Sequence, residues 1–137
     1  MNRYGQIIFF MIVFALLDLI WLGFITHNFI VSELSPFLTF YQGDLVINLV
    51  AAFAAYICLA LGPFFFIFPY SNKNTPVRWF AIQGALMGFI IYGVYEFTNK
   101  SFIMNWPWTF VLADIAWGTV IYCLTISFTG FWTRSWK

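Results

Sequence analysis

The sequence predicts an all-α membrane protein, folded as an antiparallel bundle of four transmembrane helices. Hydrophobic residues make up 63% of the chain and charged residues only 8%, against about 45–50% and about 25% in soluble domains. Polar side chains are therefore too few to cover a soluble protein of 137 residues. The apolar residues also fall into four stretches, each long enough to cross a bilayer as a helix, which takes about 20 residues.

The predicted spans cover residues 5–26, 45–69, 79–98 and 108–132, and the whole chain, 1–137, is read as one domain. Three spans contain a single charge, Asp18, Glu96 or Asp114, and the second contains none. The first span could instead be a signal peptide that follows Arg3. Its apolar run is longer than the usual stretch of about 7–15 residues and lacks a small-residue cleavage site, so we expect a retained helix.

Lysine and arginine are distributed unevenly between the connections. Five lie on one side of the predicted membrane and Lys100 alone lies on the other; the five are Arg3, Lys73, Arg78, Arg134 and Lys137. Short cytoplasmic loops carry the excess of these residues. The pattern predicts that both termini are cytoplasmic. The net charge of +1 offers no basic patch for a nucleic acid.

The outer connection, residues 27–44, contains signals of local structure. Ser35 and Pro36 resemble a helix start, and Gly43 resembles a stop. They predict a short apolar helix at the interface, with Phe37, Leu38, Phe40 and Tyr41 on it; a plain interfacial loop is the alternative. In the second span, Pro63 should bend or break the helix after Gly62.

Small residues recur at helical spacing in two spans, and such residues allow helices in lipid to approach closely. They predict one packed face in each span. These are Asn48, Ala51, Ala52, Ala55, Cys58 and Gly62 in the second span, and Ala81, Gly84, Ala85 and Gly88 in the third. Extended outward, the face in the third span reaches Tyr92, Tyr95, Glu96 and Asn99, so Glu96 should point into the bundle.

The three carboxylates within the spans are the most informative feature of the sequence. A charge at the bilayer centre costs about 2.5–3.5 kcal/mol on insertion scales, so such residues usually have a purpose. All three belong to the outer half, which predicts a polar cavity there. Asp18 and Trp21 are three residues apart, as are Asp114 and Trp117. Because the two helices are antiparallel, each indole N–H is predicted to donate to the opposite carboxylate.

The predicted ligand- or proton-binding residues are Asp18, Trp21, Tyr95, Glu96, Asn99, Asp114 and Trp117. A purely structural alternative stays open, in which the acids tie helices together and Lys100 neutralises Glu96. His27 could shuttle protons at the outer mouth or be an ordinary interfacial residue. No spacing supports a metal site, and no phosphate-binding or hydrolase motif is present, so no cofactor is predicted.

Four segments in order resemble a known family. They are Asp18-Leu19-Ile20-Trp21-Leu22-Gly23, Tyr95-Glu96-Phe97-Thr98-Asn99, Trp106-Pro107 and Asp114-Ile115-Ala116-Trp117-Gly118-Thr119. The chain is similar to the bacterial predicted membrane proteins called domain of unknown function number 2177. That family usually has Tyr-Asp-Leu-Thr-Asn where this chain has Glu96 and Phe97. The resemblance implies four helices and a bacterial inner-membrane location, and it implies no activity.

Three kinds of function agree with these features. The first is binding of a small or amphiphilic ligand in an outward-facing acidic and aromatic pocket, which could serve proton-linked transport by a homodimer. The second is an enzyme acting on a lipid or isoprenoid, with paired acids beside a lipid-sized cleft. The third is a structural or assembly subunit, with an exposed small-residue face for a partner. Membrane lipids are expected contacts in every case.

Overall fold

The computed structural model of the protein describes residues 3–134. Within this range, four helices are long and apolar enough to cross a membrane: Tyr4–Phe24, Leu49–Tyr70, Val77–Phe102 and Trp108–Trp132. The prediction of an all-α bundle with four spans is confirmed. The second span begins four residues later than predicted, because residues 45–48 are not helical.

The elements follow one another in a simple order. They are α1 (Arg3–Ile20), a π-helical turn (Trp21–Ile25), α2 (His27–Leu34), a 3-10 turn (Ser35–Phe37), β1 (Phe40–Tyr41), β2 (Asp44–Leu45), α3 (Leu49–Phe66), a second 3-10 turn (Phe68–Tyr70), α4 (Val77–Phe102) and α5 (Trp108–Arg134). We call the end that carries β1 and β2 the hairpin end, which is the predicted outer side. The opposite end, where residues 71–76 join α3 to α4, is the loop end.

The predicted interfacial helix after Ser35 is wrong. Pro36 begins only one 3-10 turn, and β1 and β2 then form an antiparallel hairpin. Gln42 and Gly43 both have positive φ angles, 52° and 92°, as a tight two-residue hairpin turn requires. The helix in this connection comes earlier, as α2. It continues from α1 through the π-helical turn, in which the Trp21 carbonyl accepts the Thr26 N–H and hydroxyl, each at 2.9 Å.

The helices are arranged so that α3 packs on α1, α1 on α5, and α5 on α4. The tightest contact is between α4 and α5. A Cβ atom on Gly88 would lie 2.1 Å from the Gly118 carbonyl oxygen, and one on Gly84 would lie 2.5 Å from the Tyr122 carbonyl oxygen. The predicted small-residue face of the third span is therefore confirmed as a packed face, and α5 occupies it.

The predicted packed face of the second span is wrong. Ala51, Ala55 and Cys58 are exposed, whereas Ala60 is buried in a core cluster that Tyr56 borders. The physical reason is that α5 already covers the glycine face of α4. Helix α3 is left to pack on α1, with Ala60 and Pro63 as its buried residues.

Pro63 does not break α3, which continues to Phe66. Proline has no N–H, so the carbonyl one turn earlier, that of Leu59, has no helical donor. The Tyr122 hydroxyl donates to this carbonyl at 2.8 Å. The hydrogen bond that the proline removes is thus replaced from α5, which is how proline is tolerated in membrane helices.

We expect Gly88→Ala to destabilise the protein, because its Cβ would collide with the α5 backbone. Overpacking of this kind costs about 1–3 kcal/mol. The measurement is the free energy of unfolding in lipid nanodiscs or mixed micelles. Gly23→Ala is the matched control, since a Cβ there has no atom within 4 Å. Equal stability of the two variants would contradict this account of the α4–α5 contact.

We expect Tyr122→Phe to leave the Leu59 carbonyl without a donor. The cost should lie between about 0.6 kcal/mol, an average for membrane-protein hydrogen bonds, and about 3 kcal/mol, for an unsatisfied buried group. Pro63→Ala restores an N–H at residue 63, so the same tyrosine substitution should cost less in that background. A double-mutant cycle of unfolding free energies measures the difference; an identical cost in both backgrounds would disprove the pairing.

Candidate functional site

The three intramembrane acids come together in the hairpin half of the bundle, where α1, α4 and α5 meet. Glu96 is fully buried and Asp18 is 9% exposed, while Asp114 is half-buried. Asp114 is within electrostatic reach of both other acids. The sequence predicted that these acids would converge on an outward-facing cavity; the structure places the three side chains near one another, and their role as a binding site stays a prediction. We call these three residues the acid cluster.

Asp18 joins three helices through its two carboxylate oxygens. Trp117 of α5 donates its indole N–H to Oδ1 at 3.0 Å, and Tyr56 of α3 donates its hydroxyl to Oδ2 at 2.8 Å. The predicted Asp18–Trp117 bond is confirmed. Both groups are donors, so each oxygen of Asp18 has a hydrogen-bond partner from a neighbouring helix.

The matching prediction for Trp21 and Asp114 is wrong. Within the described residues, no hydrogen bond joins them, and the Trp21 ring stacks on Trp117 with centroids 4.3 Å apart and an angle of 6° between the planes. The π-helical turn begins at Trp21, so the indole leaves the helix in a direction that α-helical spacing does not give. Trp21 and Asp114 still line one narrow gap beneath α2.

Glu96 and Asp114 form a carboxyl pair, because their side chains lie close enough to interact directly, and within the described residues Glu96 Oε1 has no other hydrogen-bond partner. A hydrogen bond between two carboxyl groups requires a proton on one of them. Trp106 fixes the other side of Glu96 by donating its indole N–H to Oε2 at 2.7 Å. Asn105, with φ of 63°, turns the chain so that this indole points back into the bundle.

The predicted neutralisation of Glu96 by Lys100 is wrong. Lys100 donates to the Trp106 carbonyl and lies 5.2 Å from the centroid of the Trp108 ring. These contacts stabilise the turn between α4 and α5, from which the Trp106 indole extends. The other basic residue within the described spans, Arg78, lies at the loop end of α4, far from the acids. The donor that Glu96 has instead is the indole N–H of Trp106.

Asp114 also lines a cleft of about 420 Å³ between α3 and α4. Apolar and aromatic side chains form the other walls: Ala55, Cys58, Leu59, Ile91, Tyr92 and Tyr95. The cleft exists because α3 and α4 meet only sparsely. They touch near Gly62 and Met87 towards the loop end and leave space towards the hairpin end.

Tyr92 lies between the cleft and the acid cluster. A Cβ on Gly118 would lie 2.1 Å from Cγ of Tyr92, so only glycine at that position lets the ring lie against α5. From there the Tyr92 side chain is within electrostatic reach of both Asp18 and Asp114. Gly118, four residues after Asp114, thus shapes the wall beside the carboxyl that the cleft exposes.

The predicted site residues are not all brought together. Tyr95 is 57% exposed and lines the cleft with Asp114, whereas Glu96 is buried behind it rather than at a rim. Asn99 is half-buried and does not line the cleft. His27 is exposed at a second cavity, of about 410 Å³, that Asp44 also lines, and not at the mouth of the acid cluster.

Sequence reasoning missed the roles of Tyr56 and Trp106, which hold Asp18 and Glu96. Tyr56 is the single tyrosine within the second span as predicted, residues 45–69. A hydroxyl donor in such an apolar span indicates that a buried acceptor lies on a neighbouring helix, and this signal could have been used. Trp106 lies in a turn, and its direction depends on the positive φ of Asn105, which the pattern does not reveal.

The hairpin end of the acid cluster is covered. Leu34 of α2 packs in a buried cluster with Trp106, Val111 and Ile115, and Thr109 donates a hydrogen bond to Glu33. The cleft that reaches Asp114 is therefore at the side of the bundle, between α3 and α4. No group of three or more His, Cys, Asp or Glu side chains within residues 3–134 is placed to hold a metal ion.

A family model described as predicted membrane protein (DUF2177) matches residues 4–132. This match covers nearly the whole chain, and the chain belongs to that family. No curated protein matches the chain, and no solved structure does.

We expect Asp18→Ala to destabilise the protein by about 1–3 kcal/mol, because two buried donors lose their acceptor. Asp18→Asn should retain most of the stability, since its carbonyl oxygen can accept from Trp117 while its amide donates to the Tyr56 oxygen. Unfolding free energies of the two variants test this. If Asp18→Asn is as unstable as Asp18→Ala, the negative charge itself is required and the hydrogen-bond account is insufficient.

Proposed function

We propose that this member of the DUF2177 family binds an amphiphilic molecule in the cleft between α3 and α4, with the polar head against Asp114. The observation that carries the proposal is a carboxyl group at the bottom of an otherwise apolar and aromatic cleft of about 420 Å³. Ligand sites commonly measure about 300–1,000 Å³, with apolar walls and few polar groups that fix orientation.

The carboxyl groups at the cleft determine which ligand head group would bind best. An ammonium head would meet the carboxyl pair of Asp114 and Glu96, to which no lysine or arginine among the described side chains donates. A hydroxyl head could donate to the same oxygens with less electrostatic gain. A carboxylate head would add a like charge beside the pair and should bind poorly. The chain of the ligand would contact Ile91 and Leu59 and extend into lipid.

The position of the cleft supports entry from the bilayer rather than from water, because α2 and Trp106 cover the hairpin end. The charge distribution supports a cytoplasmic location for both termini and the loop end. Together with the family, it supports an inner bacterial membrane. The hairpin end would then face outward, and the site would lie in the outer half of the bilayer.

A second candidate function is acid–base catalysis on a lipid or isoprenoid. The observation that favours it is the carboxyl–carboxyl contact of Glu96 and Asp114 beside a cleft that could admit an apolar chain. One carboxyl could donate a proton while its neighbour accepts one. Proton-linked transport would use the same pair to bind and release protons.

Binding is tested with three probes of equal chain length: dodecylamine, dodecanol and dodecanoate. We expect dodecylamine to bind best and dodecanoate worst, measured by native mass spectrometry of the protein released from micelles. Asp114→Asn removes a charge-assisted hydrogen bond worth about 1.5–3 kcal/mol, which corresponds to about a tenfold to hundredfold loss of amine affinity. The affinity for dodecanol should change much less.

The steric control uses two neighbouring exposed alanines of α3. Ala55 lines the cleft, so Ala55→Phe should fill it and reduce binding of all three probes. Ala54 does not line the cleft, so Ala54→Phe should leave binding unchanged. Equal binding of amine and carboxylate, or no loss in Ala55→Phe, would contradict the proposal. A change of oligomeric state in Ala55→Phe would instead support a homodimer that covers this face of α3.

A further inference from the structure

The buried face of α1 has a second polar residue besides Asp18. Its buried positions recur every four residues: Gln6, Phe10, Phe14 and Asp18. This face runs antiparallel to α5, because Asp18 contacts Trp117, Phe14 contacts Tyr122 and Phe9 stacks on Phe128. The same register brings Gln6, which is 3% exposed, to the level of Thr129.

Helix α5 presents a buried hydroxyl at this level, Thr129, and another one turn nearer the acid cluster, Thr125. Thr125 and Thr129 are fully buried, and within the part of the chain that the structure describes neither Oγ1 atom has a hydrogen-bond partner. Thr119, on the same helix, instead donates to the Ile115 carbonyl at 2.8 Å. Buried hydroxyls are almost always paired with protein or ordered water, and a water molecule needs two to four polar partners, about what these side chains supply.

A layer of aromatic rings separates these residues from the acid cluster. Phe10, Phe14 and Tyr122 are buried to 1% exposure or less, with centroids 5.2 Å apart for Phe14 and Tyr122 and 6.0 Å apart for Phe10 and Tyr122. The hydrogen bond to Leu59 holds the Tyr122 hydroxyl towards α3. The layer lies between Gln6 and Asp18, which are about three helical turns apart on α1.

We propose that Gln6, Thr125 and Thr129 form a second polar site, which binds water in the loop-end half of the bundle. The layer of Phe10, Phe14 and Tyr122 is the barrier that keeps this water from the acid cluster. The bundle then has two polar regions and a dry centre. This inference does not depend on amphiphile binding, which uses the opposite side of the barrier and a different readout.

Water binding is tested by the double substitution Thr125→Val and Thr129→Val, which preserves shape and removes the hydroxyls. If the hydroxyls hold water, the variant loses those hydrogen bonds and its thermal midpoint falls by roughly 4 °C or more. Thr119→Val, whose hydroxyl bonds its own helix, is the matched control and should shift little. An unchanged or raised midpoint in the double variant shows that the hydroxyls hold no water and overturns the site.

The barrier is tested in liposomes that contain a pH-sensitive dye. Wild-type protein and Phe53→Ala, at an exposed position of α3, should retain an imposed pH gradient. Phe14→Ala should dissipate the pH gradient several-fold faster than wild type. Combining Phe14→Ala with Thr125→Val and Thr129→Val should restore slow dissipation, because the hydroxyls that hold the water are then absent. Monodisperse elution checks the fold, and Phe10→Ala replaces Phe14→Ala if that variant does not fold. If folded Phe14→Ala or Phe10→Ala retains the pH gradient as long as Phe53→Ala does, the ring layer is not the barrier and this part of the proposal is wrong.

Discussion

The Asp18 carboxylate is the contact on which the arrangement of the bundle depends, because it is bonded to α3 and α5 from α1. Lipid offers no hydrogen-bond partner for a buried polar group, so the partners must come from the protein or from water bound inside it. Trp117 and Tyr56 meet that requirement for Asp18. By doing so they fix the rotation of α1, α3 and α5 relative to one another at this level.

The cleft follows from how the helices are then distributed. Close backbone contact through Gly84 and Gly88 places α5 against the small-residue face of α4. Helix α3 is held to α1 through Tyr56 and to α5 through the Tyr122–Leu59 bond, so little joins it to α4. The side of the bundle between α3 and α4 is left open beside Asp114, and this opening is a consequence of packing on the other sides.

The sequence was sufficient for features that depend on local pattern. Apolar length predicts the four spans, and three-residue spacing on antiparallel helices predicts the Asp18–Trp117 bond. It was insufficient where a residue chooses between partners in three dimensions. Lys100 turns to the Trp106 carbonyl, and Trp21 stacks on an indole after a π-helical turn. Ala55 is exposed because α5, and not α3, covers the glycine face of α4. The sequence of one span alone does not show which neighbouring helix will cover it.

The carboxyl pair links the charge of a ligand to the occupancy of a proton. Glu96 and Asp114 lie close enough to interact; one proton shared between them would avoid two adjacent negative charges in a poorly solvated site, and loss of that proton would create them. An ammonium head in the cleft could compensate for that loss, so its binding would favour release of the proton. With the ring layer of Phe10, Phe14 and Tyr122 closed, that proton would leave on the hairpin side, and the arrangement described here would exchange a cation for a proton without carrying either across the membrane.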